Sequence, residues 1–377
     1  MVNPAYLFAT LRELGIDFFT GVPDSLLKNM CAYLEDHCDE GQHIVAANEG
    51  SALALGIGYH LASGKLPLIY LQNSGIGNLV NPLLSLADPQ VYSIPLILLI
   101  GWRGHADIAD EPQHAKQGRI TTSLLDTLEL PYEIITERTE DPEAAKLISG
   151  LIATAQRENR PCALLATKNA LSDYQLAKNT GSNYNLAREQ AIDLVLAGLK
   201  TEDAVVSTTG FASRELFELR SSRNSGHRQD FLTVGGMGHA NQIALGIALA
   251  QPERQVYCLD GDGAFIMHMG GSATCASSNA KNFKHIVLNN GVHDSVGGQP
   301  TTAGDINVEK IASALGYRWS ASANSPEAVN SCLATLQNQP GPALLEIKIK
   351  PGTRTTLGRP SSSPAENKAL FMEFLRQ

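Results

Sequence analysis

A carboxylate between two glycines is followed, one strand and one helix later, by two adjacent amides. Asp262 lies between Gly261 and Gly263 directly after an apolar run, and Asn289 and Asn290 follow after 25 further residues. Carboxylate and amide oxygens are the ligands that Mg²⁺ requires, and glycines let backbone N–H groups approach a phosphate at the beginning of a helix. The spacing therefore predicts a site that holds a divalent cation against a diphosphate.

Apolar runs of strand length alternate with segments of helical periodicity along the chain. The runs lie at 43–47, 66–72, 94–100, 132–136 and 163–167 in the first half and at 204–208, 231–234, 255–259, 285–288 and 343–349 in the second. This alternation predicts parallel sheets covered by helices on both faces. Residues 171–186 are mostly polar and small, which is typical of a linker. We therefore expect an α/β fold with two doubly wound parallel-sheet domains, 1–170 and 187–377.

The composition limits the classes of function. The 377 residues suffice for two domains, and a net charge of −9 offers no broad basic surface for nucleic acid. The six cysteines form no Cys-x-x-Cys pair, which indicates buried thiols in a reducing compartment. No apolar run reaches the ~20 residues that a membrane span needs, and the chain begins directly with a helical pattern. We expect a soluble, cytoplasmic protein that binds neither nucleic acid nor membranes.

Glu49 is a second candidate for chemistry, in the first half of the chain. It follows the apolar run 43–47 and precedes a helical segment, 51–58, of small and apolar residues. Such a segment can pack against a cofactor or a partner subunit. Taken alone, the carboxylate can equally stabilise the N-terminus of that helix through the helix dipole.

The Gly-Asp-Gly motif and the Asn-Asn pair, at this spacing, resemble the metal-binding signature of thiamine diphosphate (ThDP) enzymes. The resemblance implies that the second domain binds Mg²⁺ and the diphosphate, while the first binds the aminopyrimidine ring. It assigns Mg²⁺ to the side chains of Asp262 and Asn290 and to the main-chain carbonyl of Val292. It implies contacts to ThDP for Glu49, Met237, Gly238, Gly261, Asp262, Gly263, Ala264, Asn290 and Val292.

Two of these residues receive particular roles from the resemblance. Glu49 would place its carboxyl group beside N1′ of the aminopyrimidine ring and so activate the cofactor. Met237 would lie between the two rings of ThDP and hold the cofactor in its bent conformation. A methionine in this place can also be a flexible core residue without such a role.

The resemblance also bears on assembly. The halves are separated by only a short linker, so the chain resembles the compact branch of the superfamily that lacks a middle domain, and neither FAD nor a second nucleotide is expected. Since the ring and the diphosphate are bound by different domains, family geometry places each site between two subunits. We therefore expect a homodimer or a homotetramer.

Four further segments resemble the phosphonopyruvate decarboxylase family. They are 21–25, 101–104 with 110–114, 293–299 and 357–360. Together with the cofactor motifs they cover nearly the whole chain. The family converts 3-phosphonopyruvate to phosphonoacetaldehyde and CO₂ in phosphonate biosynthesis, so the resemblance implies this reaction. The loop 104–108 departs from the family because it lacks an expected Pro-Gly.

A 2-oxo acid with a second anion requires cationic and N–H donors around it. The candidates for substrate binding are Arg103, Lys116, Gln113, Gln299 and Arg359. Asp24 and His114 are the candidates for proton transfer, since they lie where related decarboxylases place an acid and a relay histidine. The alternative for each charged residue is a solvated surface charge, and for His114 a hydrogen-bonded loop histidine.

Three other functions remain open at this point. Sulfopyruvate decarboxylase acts on a substrate with a similar tetrahedral anion, so the same donors would serve it. A carboligase of the acetolactate synthase type usually has the middle domain. A non-catalytic ThDP-binding or nucleotide-binding module has no use for the carboxyl group of Glu49.

Overall fold

The structure is a computed structural model that describes residues 1–105, 110–178, 182 and 184–377. Residues 106–108 of the loop that departs from the family, and 179–181 and 183 of the predicted linker, lie outside these ranges. The chain divides into two compact units, Met1–Asn179 with Ser295–Gln299 and Thr180–Asp294 with Pro300–Gln377.

Within the described residues, the first unit contains a six-stranded parallel sheet. Its strands are β1 (Phe18–Gly21), β2 (His43–Val45), β3 (Pro67–Gln72), β4 (Leu96–Gly101), β5 (Tyr132–Ile135) and β6 (Pro161–Ala166). They lie in the order β2-β1-β3-β4-β6-β5. The helices are α1 (Pro4–Glu13), α2 (Lys28–His37), α3 (Glu49–Ser63), α4 (Ile76–Pro82), α5 (Pro112–Thr127) and α6 (Asp141–Glu158).

The second unit repeats this plan, again with six parallel strands in its described part. The strands are β7 (Ala204–Ser207), β8 (Asp230–Leu232), β9 (Val256–Gly261), β10 (Phe283–Asn289), β11 (Trp319–Ala323) and β12 (Ala343–Lys348), in the order β11-β12-β10-β9-β7-β8. The helices are α7 (Arg188–Gly198), α8 (Phe211–Ser222), α9 (Ala240–Ala250), α10 (Asp262–Met267), α11 (Gly270–Ser277), α12 (Val308–Leu315), α13 (Pro326–Asn338) and α14 (Pro364–Leu375). The predicted fold class is confirmed.

Each sheet is buried on both faces, as the continuous apolar runs predicted. In β4, Ile97 and Leu99 belong to one apolar cluster of the first unit, whereas Leu96, Leu98 and Ile100 belong to a second one. Side chains alternate across a strand, so the two clusters lie on opposite faces of the sheet. The second unit has two such clusters as well.

Two strands are not among the predicted runs, and both have a local reason. β1 reads Phe-Phe-Thr-Gly, so a polar residue and a glycine interrupt its apolar run after two residues. β11 reads Trp-Ser-Ala-Ser-Ala and lies at the edge of its sheet, mostly half-buried. Small and polar residues suffice there because an edge strand covers little of the core.

All six cysteines lie in the described part of the chain. All are free, and four of them are buried. Among the described residues, no helix combines the length and the apolar character that a membrane crossing requires.

Parallel strands direct their carboxyl ends to the same edge of a sheet, where α/β proteins bind ligands. In the first unit Asp24 follows β1, Gln72 ends β3 and Arg103 follows β4. In the second unit Asp262 follows β9 and Asn290 follows β10. Asp24, Arg103, Asp262 and Asn290 therefore lie beyond the carboxyl ends of strands in their own sheets.

One ion pair in the second unit allows a direct test of the packing. Arg220, on α8, donates from Nε and Nη2 to the carboxylate of Asp230 at 2.9 and 2.8 Å, and both side chains are buried. We expect Arg220→Ala to lower the free energy of unfolding by about 3–5 kcal/mol, because it leaves a buried charge unpaired. Urea unfolding followed by circular dichroism measures the change.

Arg223→Ala is the matched control. Arg223 pairs with Asp193 at 2.7 Å, but 35% and 47% of the two side chains remain exposed. Its removal should cost about 0–1 kcal/mol, since exposed ion pairs contribute little. Equal losses in the two variants would contradict this description of the Arg220 pair.

Candidate active site

Glu49 is the first residue of α3, and its carboxylate is buried in the first unit. Asn48 caps the helix by accepting a hydrogen bond from the backbone N–H of Ser51 at 2.9 Å. The side-chain amide of Asn78 donates to Oε2 of Glu49 at 2.7 Å. Burial raises the pKa of Glu49, and the hydrogen bond from Asn78 only partly opposes this shift. The carboxyl group can therefore retain a proton more readily than an exposed glutamate.

Gly75 makes the position of this carboxylate possible. A Cβ atom added to Gly75 would overlap the Oε1, Cδ and Cγ atoms of Glu49. Gly75 has a φ of −76°, so its backbone conformation does not itself require glycine. The requirement is the close approach of the two groups.

Asp24 lies at the carboxyl end of the same sheet and is fully buried. Its Oδ2 accepts from the backbone N–H of Leu26 at 2.9 Å, and the amide of Gln72 donates to its Oδ1. A Cβ atom on Gly101, the last residue of β4, would overlap Oδ2. Burial raises the pKa of Asp24, although the Gln72 hydrogen bond and the charge of Arg103 act against the shift. The strand ends thus enclose a carboxyl group suited to proton transfer.

Arg103 is already engaged in an ion pair. Its Nε donates to Oδ2 of Asp110 at 2.8 Å, Nη2 donates to Oδ1 of the same carboxylate, and Nη1 donates to Ser25 Oγ at 2.7 Å. Burial tends to raise the pKa of Asp110, but the Arg103 hydrogen bond lowers it well below the ordinary value. A substrate anion that binds the guanidinium fork must therefore compete with Asp110.

His114 and Gln113, in the first turn of α5, offer polar atoms that protein groups do not satisfy. Nδ1 of His114 and Oε1 of Gln113 are buried and have no hydrogen-bond partner within the described residues. Nε2 of His114 lies 3.4 Å from Nε2 of Gln113. Burial, followed by the charge of Arg103, lowers the pKa of His114. The lowered pKa favours the neutral imidazole, which is the form that can accept a proton.

The remaining predicted substrate residues differ in exposure. Lys116 and Arg359 are exposed, whereas Gln299 is fully buried. Both amide atoms of Gln299 lack a hydrogen-bond partner in the described part of the chain. Buried polar atoms are normally paired, so the unsatisfied amide marks Gln299 as a candidate for binding a polar ligand.

In the second unit, Asp262 begins α10 and is buried. Its Oδ2 accepts from Thr301 Oγ1 at 2.6 Å and from the backbone N–H of Gly291 at 3.1 Å. Burial raises the pKa of Asp262 to about 6. Within the described residues no lysine or arginine forms an ion pair with it. A buried carboxylate without a cationic side chain fits a site where a metal ion supplies the positive charge.

The two asparagines have different partners. Asn289 donates to Glu346 Oε1 at 2.7 Å and to the carbonyl of Ala303 at 3.2 Å, both from Nδ2. Asn290 donates from Nδ2 to Asp294 at 2.8 Å, and its Oδ1 accepts from the backbone N–H of Val292 at 3.1 Å. Asn290 therefore directs its side-chain oxygen toward the backbone N–H of Val292. The carboxylate of Asp262 and the amide oxygen of Asn290 are ligands of the kind that Mg²⁺ binds.

The loop that carries Met237 contacts the beginning of α10. Gly238 has a φ of +85°, and a Cβ atom there would lie 3.1 Å from the carbonyl oxygen of Ala264 and 2.7 Å from the His268 ring. Glycine therefore allows both the backbone conformation and the close approach. Met237, half-buried, is held one residue away from this contact.

Some residues that build these sites are missing from the sequence prediction. They are Gln72, Gly75, Asn78, Thr301 and Asp294 as a partner of Asn290. Gln72 carries a signal that could have found it, namely a polar residue at the end of an apolar run. The others carry no such signal.

Comparison with known proteins places this geometry in a family. Residues 3–127 match the N-terminal thiamine pyrophosphate (another name for ThDP) binding domain of thiamine pyrophosphate enzymes, and residues 208–347 match the C-terminal one. Phosphonopyruvate decarboxylase of Streptomyces viridochromogenes is 35% identical over 391 residues, covering 100% of this chain and 95% of the relative. The chain belongs to the phosphonopyruvate decarboxylase family of ThDP enzymes.

Two further relatives extend the comparison. Phosphonopyruvate decarboxylase of Streptomyces hygroscopicus is 34% identical, covering 99% of this chain and 94% of the relative. Sulfopyruvate decarboxylase of Methanosarcina acetivorans is 28% identical, covering 100% and 98%. The predicted family, and the prediction of a ThDP-dependent decarboxylase, are confirmed.

The Gly75 contact generates a test of Glu49. We expect Gly75→Ala to displace the Glu49 carboxylate and to lower the decarboxylation rate by about 10²-fold, because misplacing a catalytic group by about 1 Å costs roughly that much. ThDP affinity should change much less, since Glu49 is only one of the residues predicted to contact the cofactor. Steady-state kinetics and a ThDP titration by calorimetry measure the two effects.

Gly77→Ala, two residues along in α4, is the control. A Cβ atom at Gly77 meets no atom within 4 Å, so activity should stay near that of the unmodified enzyme. If Gly75→Ala were as active as Gly77→Ala, the position of Glu49 would not matter to the reaction.

Proposed function

We propose that the enzyme decarboxylates 3-phosphonopyruvate to phosphonoacetaldehyde and CO₂ with ThDP and Mg²⁺. The observation that carries the proposal is the full-length similarity to two phosphonopyruvate decarboxylases at 34–35% identity, against 28% for the sulfopyruvate decarboxylase. Phosphonate and sulfonate share a tetrahedral shape, so sulfopyruvate is the competing substrate to test.

We assign Mg²⁺ to Asp262, Asn290 and the carbonyl of Val292. The backbone of Gly261, Gly263 and Ala264 would lie beside the diphosphate at the start of α10. ThDP, when bound, supplies the electron sink that accepts the electron pair left by CO₂. Met237 and Gly238 would shape the surface against which the cofactor bends.

Proton handling falls to the buried acids and the neutral histidine. Glu49, with its raised pKa, would share a proton with the ring nitrogen of the cofactor. Asp24, also with a raised pKa, can hold a proton for transfer to substrate. His114, with its lowered pKa, can accept one at neutral pH. These three roles require that water be excluded, which the burial of the side chains favours.

We assign the second anion of the substrate to Arg103. Its planar fork is already aligned by Asp110 and Ser25, so little side-chain entropy would be lost when an anion binds. Lys116, Gln113, Gln299 and Arg359 remain predicted substrate contacts.

We further propose a homodimer or homotetramer with the cofactor site between subunits, in the cytoplasm. The assembly rests on the separation of ring and diphosphate surfaces into two domains, proposed at 1–170 and 187–377. The compartment rests on the distribution of six free thiols.

Substrate preference provides the first test. We expect kcat/KM to be roughly 10⁴-fold higher for phosphonopyruvate than for pyruvate, because cationic donors without their anion remain unpaired. Sulfopyruvate should rank second, since it carries less charge. Coupled aldehyde detection measures all three rates. A preference for sulfopyruvate or for pyruvate would overturn the substrate assignment.

Arg103→Ala provides the matching variant. Its kcat/KM with phosphonopyruvate should fall by about 30–1000-fold, which corresponds to about 2–4 kcal/mol, while kcat/KM with pyruvate should fall far less. Arg157→Ala, at an exposed position on α6, should leave both rates unchanged. Equal losses on both substrates would make Arg103 a structural residue.

Asp262→Ala tests the metal site. Mg²⁺ and ThDP binding should be lost together, because the metal would bridge the protein and the diphosphate. Asp305→Ala, which removes an exposed carboxylate in the same unit, is the control. ThDP affinity that does not depend on Mg²⁺ in the unmodified protein would exclude this site.

A further inference from the structure

Asp294 binds donors from three separate segments of the second unit. Nη1 of Arg188 donates to its Oδ2 at 3.0 Å, and Nδ2 of Asn290 donates to the same oxygen at 2.8 Å. The backbone N–H of Gly352 lies 3.0 Å from each of its two oxygens. The carboxylate therefore joins the end of β10 to the beginning of α7 and to the segment that follows β12.

These contacts select one orientation of the Asn290 amide. An ionised carboxylate only accepts hydrogen bonds, so Asn290 must turn its NH₂ group toward Asp294. The backbone N–H of Val292 only donates, and it lies 3.1 Å from Oδ1 of Asn290. Both neighbours thus require the same amide orientation, with the oxygen directed away from Asp294.

We infer that Asp294 is a positioning residue for the metal site, which keeps the oxygen of Asn290, rather than its nitrogen, available to Mg²⁺. The inference rests on the proposed function, because it assumes that Asn290 binds Mg²⁺. A cation is not coordinated by an amide NH₂ group, so a reversed amide would remove one ligand. Partners of metal ligands commonly set ligand orientation in this way.

Arg188 keeps Asp294 in place. Its guanidinium is buried and also donates to Glu215 at 2.9 Å from Nε and 3.2 Å from Nη2. Its Cζ lies 5.2 Å from the centre of the Phe211 ring. Held from two sides, Arg188 directs Nη1 at Oδ2 of Asp294 and so fixes the position of that carboxylate.

Asn289 shows that the neighbouring amide is held in a comparable manner. Its Nδ2 donates to the buried Glu346, and its Oδ1 accepts from the backbone N–H of Gly291 at 3.1 Å. Each asparagine of the pair therefore has its own carboxylate, Glu346 for Asn289 and Asp294 for Asn290. Asp294 is the carboxylate that acts on the proposed metal ligand.

An exchange of the two side chains tests the inference. In Asp294→Asn, the new amide oxygen must serve Arg188 and Gly352, so its NH₂ group faces Asn290 and favours the reversed amide. In Asn290→Asp, two carboxylates face each other and repel. The double variant Asn290→Asp/Asp294→Asn restores one donor and one acceptor, with the original net charge and an oxygen free for the metal.

Mg²⁺ affinity is measured by calorimetry on the full-length apoprotein with saturating ThDP, so that the readout does not depend on turnover. Each single variant should bind Mg²⁺ about 10–100-fold more weakly, which is the usual cost of losing a partner of a metal ligand. The double variant should return to within roughly threefold of the unmodified protein. Asp193→Asn, which changes an exposed carboxylate paired with Arg223, should leave the affinity unchanged.

Losses that multiply in the double variant would overturn the inference, because a general structural role predicts no rescue. Unchanged affinity in Asp294→Asn would overturn it as well. If Asn290→Asp does not fold, the Mg²⁺ affinities of Asp294→Asn and the double variant are compared, and a double variant that binds no more tightly than Asp294→Asn would overturn the inference. An unmodified protein that binds ThDP without Mg²⁺ would overturn the proposed metal site and this inference together, which separates that failure from the other two.

Discussion

The burial of carboxylates at the ends of parallel strands is the constraint on which the rest of the site depends. Glu49, Asp24 and Asp262 are each buried, and burial raises the pKa of all three. Such groups cost free energy unless hydrogen bonds or charges replace the lost water. A side chain donates a hydrogen bond to each carboxylate, yet burial remains the largest influence on its pKa. A cofactor nitrogen or a cation would relieve this cost, so ligand binding and the stability of the strand ends are coupled.

Much of the fold could be predicted from the sequence because its signals are local. A strand buried on both faces, such as β4, is a continuous apolar run, and the Asp262 motif lies at one strand–helix junction. β1 and β11 escaped prediction because polar and small residues interrupt their apolar runs. The contact of Gly75 with Glu49 joins two junctions that are 26 residues apart, and no local pattern reports such a meeting.

For the predicted substrate-binding residues, the sequence likewise does not show which charges are paired. From the sequence, Arg103 is predicted to be a cation that binds the second anion of the substrate. The structure places Asp110 on its guanidinium in a two-point contact. The sign of a side chain's charge can be read from a sequence, whereas the presence of an opposite charge beside it depends on how the loops fold. A substrate anion that displaces Asp110 from the guanidinium therefore binds at a cost in free energy that a free arginine would not impose.

The central strands β4 and β10 are fully buried along their length, and β10 ends at the Asn-Asn pair. Backbone hydrogen bonds in such strands open only when most of the unit unfolds, so their amide protons exchange slowly with solvent. Asn290 directly follows β10, and Arg103 lies two residues beyond the end of β4. The proposed metal ligand and the proposed anion-binding arginine are therefore attached to the segments of their units that open last.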